Sequence, residues 1–73
     1  MSKTPAIKPN QIEKVLFKIG FISRQGKGSH KVFKHSDGRR TVIPTHKRPI
    51  RIGTLKAILK QIKLTTKEFL DLI

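Results

Sequence analysis

The residues best suited to chemistry lie in one octapeptide, Gly26-Lys27-Gly28-Ser29-His30-Lys31-Val32-Phe33. It carries a single imidazole, His30. Imidazole gains and loses a proton near neutral pH, which suits acid or base work. Lys27, Lys31 and the nearby Arg24 supply cations against an anionic transition state. Gly26 and Gly28 have no side chain, so a sugar–phosphate backbone can approach them, and their N–H groups can meet phosphate oxygens. A proton carrier beside cations is what attack of an RNA 2′-hydroxyl on its own phosphodiester requires.

A blander role fits the same residues. His30 at the start of a strand can touch phosphate without reacting, and the chain is then a non-catalytic RNA-binding module. Ser29 reads as a turn hydroxyl bonded to its own backbone, because no His–Asp pair accompanies it to make a nucleophile. A second phosphate contact is expected at His46-Lys47-Arg48, with Arg51 following, in a loop that runs into a helix N-terminus. His46 reads there as a phosphate ligand or a second proton carrier. His35, just before a turn, is expected to be exposed. The three histidines match no metal-ligand spacing, and Asp37 is the one acid between His30 and His46. No metal and no cofactor are expected.

Charge narrows the partner. The 73 residues hold 17 Lys and Arg against 4 Asp and Glu, a net charge of +13. Solubility needs only about 2–8 charges on a small domain, so this excess points to nucleic acid ahead of an acidic protein or an anionic membrane. From Arg24 to Lys63 the one acid is Asp37. Four Phe with no Tyr or Trp offer little for base stacking, so recognition by shape and phosphate contact is expected. The absence of Cys rules out disulfides and thiolate–zinc sites. No apolar run approaches the ~20 residues of a membrane helix, and no signal core follows the basic start. The expected setting is the cytoplasm, with no membrane partner.

These residues need elements to hold them. Residues 1–7 read as a loose tail and 8–73 as one domain. Pro9 opens a helix whose face is Ile12, Val15, Leu16 and Ile19, flanked by Phe17 and Phe21, with Gly20 as its left-handed cap. Strands are predicted over Phe21–Arg24, His30–His35 and Arg39–Pro44. A glycine-rich turn joins the first two and Ser36-Asp37-Gly38 the last two. Alternation puts His30 with Val32 and Lys34 on one face and Lys31 with Phe33 and His35 on the other. Each face holds one apolar residue, and the larger, Phe33, is assigned to the core. His30 is left on the opposite face or at the frayed strand start. A second helix carries the stripe Ile52, Leu55, Ile58, Leu59 and Ile62. Thr65 and Glu68 form a capping box for a short third helix with Phe69, Leu72 and Ile73 on one side.

In order along residues 8 to 73 come Ile19-Gly20-Phe21, the Gly-Ser-His octapeptide, His35-Ser36-Asp37-Gly38-Arg39-Arg40, Val42-Ile43-Pro44, His46 and Gly53-Thr54-Leu55-Lys56-Ala57-Ile58-Leu59-Lys60-Gln61. This series resembles the HicA toxins, small mRNA interferases of toxin–antitoxin pairs. The resemblance implies an α+β fold like a double-stranded-RNA-binding domain: helix, three-stranded antiparallel sheet, helix, and a short extra C-terminal helix. It implies endonucleolytic cleavage of mRNA without an obligatory metal, His30 as the catalytic residue, and a HicB-like antitoxin that covers the active surface. RNA contacts are expected from Arg24, Lys27, Gly28, Ser29, Lys31, His46, Lys47 and Arg48. Lys27, Lys31 and His46 remain the candidates for a second proton carrier.

Overall fold

Helix α1 (Pro9–Lys18) begins where Pro9 needs no N–H partner, and the Gln11 Oε1 accepts the Lys8 N–H at 2.8 Å. The helix ends at Gly20, whose φ of +97° lets the Phe21 N–H turn back to the Leu16 carbonyl at 2.9 Å. The computed structural model describes residues 6–26 and 28–73. Strands β1 (Ile22–Gln25), β2 (His30–Lys34) and β3 (Arg40–Pro44) follow as an antiparallel meander in the order β1-β2-β3. Helix α2 (Ile52–Ile62) and α3 (Thr66–Leu72) complete the chain. The architecture is α+β and like that of a double-stranded-RNA-binding domain, with the extra C-terminal helix.

The register pairs Phe33 of β2 with Ser23 and Thr41, and Val32 with Arg24 and Val42. Phe33, Thr41 and Ile43 are buried beneath α1 and α2, both of which pack on β3. On the opposite face, where Ile22 and Val42 are exposed, no helix is seen among the described residues. The core is one cluster, from Ile12, Val15 and Leu16 of α1 through Phe33 and Ile43 to Leu55, Ile58, Leu59 and Ile62 of α2, closed by Phe69 of α3. Burial of a Phe or Leu side chain is worth about 1.5–3 kcal/mol. A chain this short buries only roughly 60% of its unfolded surface, so each of these residues counts.

Several expectations need correction. Residues 1–5 of the expected tail lie outside the described residues, but Ile7 is a core residue whose carbonyl accepts the Ile50 N–H at 2.7 Å. Ile52 is exposed, because the buried stripe of α2 starts one turn into the helix, at Leu55. Ile73 is exposed beyond the end of α3. His35 is not an exposed turn residue. Its Nδ1 accepts the Asp37 N–H at 3.1 Å, which leaves Nε2 to donate to the Ile19 carbonyl at 2.9 Å. That carbonyl is one of those a helix end leaves without an internal partner. The His35 ring also packs edge-on against Phe21, so it fastens the β2–β3 hairpin to the end of α1.

Candidate nucleic-acid interface

His30 is the first residue of β2, and the Gly26 N–H donates to its carbonyl at 3.1 Å. This closes the β1–β2 turn directly against the histidine backbone. Only glycine fits at position 26: a Cβ there would stand 2.5 Å from the His30 carbonyl oxygen. Gly28 has a φ of +60°, a conformation glycine adopts without steric cost. Phe33, fully buried, anchors the other face of the strand, so alternation turns the exposed His30 to the uncovered face with Val32 and Lys34.

Residues directly opposite in an antiparallel pair share a face. The uncovered face therefore carries Val32 between Arg24 and Val42, Lys34 between Ile22 and Arg40, and His30 beside Pro44. Arg24 is a diagonal cross-strand neighbour of His30. Arg24, Lys34 and Arg40 are exposed around a partly apolar centre, with Ile22 60% and Val42 41% accessible. Sequence reasoning named Arg24 but passed over Lys34 and Arg40, which strand alternation on either side of the Asp37-Gly38 turn would have placed here.

Lys31 lies on the helix side of the sheet, away from the face of His30. Its Nζ meets the Glu13 Oε1 of α1 at 3.3 Å. Ser29 and Gly28 are exposed in the turn before His30. The Ser29 carbonyl accepts both the Thr45 N–H at 2.7 Å and the Thr45 hydroxyl at 2.8 Å. These bonds tie the turn to the loop that holds His46, Lys47 and Arg48. Lys27 lies outside the described residues.

In that loop Lys47 and Arg48 are exposed, whereas His46 is half-buried and its Nδ1 is enclosed without a hydrogen-bond partner among the described residues. His46 lines two clefts. One, of about 360 Å³, opens toward the start of α1. The other, of about 270 Å³, opens toward Arg51 and Thr54 at the start of α2. Sequence reasoning missed Glu13 and Thr45, whose roles arise from tertiary contacts and leave no local signal.

His30 and His35 stand at opposite ends of β2: His30 begins it, and His35 follows its last residue. Among the described residues no group of three His, Cys, Asp or Glu side chains could hold a metal ion. Among them, too, no helix is long and apolar enough to cross a membrane.

A family model described as HicA toxin of bacterial toxin–antitoxin matches residues 9–64 of the 73. That span runs from the start of α1 to just past α2 and includes every candidate site residue. No curated protein sequence matches the chain.

Proposed function

The chain belongs to the HicA family, the toxin half of bacterial toxin–antitoxin pairs, and on that premise we propose that it is an endoribonuclease that cleaves mRNA through His30. As a family member it has a cognate antitoxin partner. The observation that carries the nuclease reading is the setting of His30. It is exposed at the start of β2, held at its carbonyl by Gly26, and has Arg24 as a diagonal neighbour on the same face.

In this reaction RNA is gripped by cations that displace its counterions. The imidazole of His30 takes the proton of a 2′-hydroxyl. The 2′-oxygen then attacks the adjacent phosphorus, and the bond from phosphorus to the 5′-oxygen breaks. The leaving 5′-oxygen takes a proton from a second carrier, for which Lys27, Lys31 and His46 are the candidates. The products are a 2′,3′-cyclic phosphate and a 5′-hydroxyl. Arg24 on the face of His30 suits stabilisation of the phosphoryl charge. The pairing of Lys31 with Glu13 weakens the case for Lys31 in that role.

The uncovered sheet face also suits a HicB-like antitoxin. Ile22 and Val42 offer apolar contact, and Arg24, Lys34 and Arg40 call for an acidic rim. A partner seated there covers His30 and excludes RNA.

The test is RNA cleavage in EDTA by the purified chain beside His30→Ala. The expected result is cleavage by the parent chain alone, with RNA affinity changed by no more than about twofold, since one exposed polar contact contributes little. Cleavage by both would remove His30 from the chemistry. Binding without cleavage by either would make the chain a non-catalytic RNA-binding module.

A further inference from the structure

The cleft of about 360 Å³ beside His46 is walled by the start of α1 on one side and the loop after β3 on the other. It has two direct links to the residues that flank His30. Thr45 in its wall bonds twice to the Ser29 carbonyl, and Glu13 in the opposite wall meets Lys31 Nζ at 3.3 Å. Both links run to chain neighbours of His30, whose own side chain lies on the opposite face of the sheet from Lys31. Its volume falls at the low end of small-ligand sites, which run from about 300 Å³, a size suited to one nucleotide.

The lining divides by chemistry. Lys8 and Lys47 supply cations, and Asn10 and Thr45 supply neutral polar groups. Pro9 adds apolar surface, and Glu13 is the one carboxylate. A carboxylate repels phosphate, so the wall at Glu13 suits a base, and the lysines suit the backbone. An ionised carboxylate only accepts hydrogen bonds. Its Oε1 takes the Lys31 ammonium, and among the described residues no hydrogen bond reaches Oε2. A base that presents an exocyclic amine complements that oxygen. Uracil presents two carbonyls on either side of its one N–H, and these meet the carboxylate unfavourably.

We infer that this cleft is a base-selective subsite for single-stranded RNA, in which Glu13 favours an amine-bearing base. Single-stranded RNA can present an unstacked base in this way. The inference rests on the RNA reading of His30 above, but its readout is separable from cleavage. Glu13 as a mere anchor for Lys31 would raise or lower affinity for all sequences alike, without discrimination.

The experiment uses the full chain carrying His30→Ala, so that no substrate is consumed, and titrates it with cytidine and uridine hexaribonucleotides. The two differ at the C4 amine and carbonyl but not in ring size or backbone charge. The expected result is about fivefold tighter binding of the cytidine hexamer, the low end of what one good base contact supplies. Adding Glu13→Ala should bring that ratio near one, although both affinities rise as a negative charge is lost. Glu13→Gln, which keeps the side-chain shape and both donates and accepts, should also relax the ratio. It serves where the alanine variant does not fold. A ratio near one in the parent chain, or an unchanged ratio after Glu13 is replaced, would overturn the inference. A preserved ratio together with no RNA cleavage by the chain with His30 intact would overturn the nuclease reading and leave the subsite standing.

Discussion

Gly26 and His30 meet backbone to backbone: the Gly26 N–H donates to the His30 carbonyl at 3.1 Å, and a Cβ on Gly26 would come within 2.5 Å of that oxygen. The obstacle is main chain, so no rotamer change relieves it. Gly26→Ala must move the start of β2, and His30 with it. The expected effect is a loss of kcat on the order of 100-fold with RNA affinity little changed, since small displacements of a reacting group have costs of that size. A control is Gly53→Ala on α2, where nothing lies within 4 Å of an added Cβ. An alanine at 26 that leaves kcat intact would show that His30 does not depend on this contact.

Phe69 is fully buried, although α3 lies beyond the matched residues 9–64. It packs into the cluster formed by α1 and α2, and α3 contacts both helices. Phe69→Ala should therefore destabilise the fold by about 3–5 kcal/mol, a large share of a small domain's stability. Chemical denaturation measures this. A loss below about 1 kcal/mol would mean that α3 is an appendage and not part of the core.

Asp37 braces the β2–β3 turn through His35 and Arg39. The backbone N–H of Arg39 is the main cause that holds its carboxyl below the ordinary value of 3.8, and the Arg39 side chain adds to it at 2.7 Å. Arg39 in turn stacks over Phe21 and donates to the Ile62 carbonyl. A carboxyl with a lowered folded pKa contributes stability above its unfolded pKa, and that contribution is lost as pH falls through the folded value. The stability gap between the parent chain and Asp37→Asn should be present at pH 7 and close below about pH 4. Glu68, also lowered by the Thr65 backbone N–H and hydroxyl, titrates in both proteins and cancels in the difference. Thermal melts across pH 7 to 2.5 decide the matter, and a gap independent of pH would contradict the account.

Much of this arrangement was legible because the signals were local. Pro9, Gly20, the Asp37-Gly38 turn and the Thr65–Glu68 box each act within a few residues, and each lies where its chemistry predicts. The face of β2 was harder, since Val32 and Phe33 point opposite ways and only size favoured Phe33. The end of α2 gave no warning at all: Lys63 takes the left-handed cap at φ +58° without being glycine. His35 was misread because the carbonyl it caps belongs to Ile19, sixteen residues earlier. The bonds from Thr45 to Ser29 and from Lys31 to Glu13 likewise join segments that only the fold brings together. The residue proposed to react, His30, was therefore nameable from the sequence, while the cleft between α1 and the loop after β3 was not.

The most direct test of the central claim uses an RNA that the chain cuts at one mapped bond and a copy with a single 2′-deoxynucleotide 5′ to that bond. Attack by the 2′-hydroxyl assisted by His30 predicts that the parent chain cuts the first RNA to a 2′,3′-cyclic phosphate and a 5′-hydroxyl. It also predicts that the chain binds the deoxy copy equally well and leaves that bond intact. Cleavage of the deoxy copy at the same bond, or products ending in a 5′-phosphate, would contradict it.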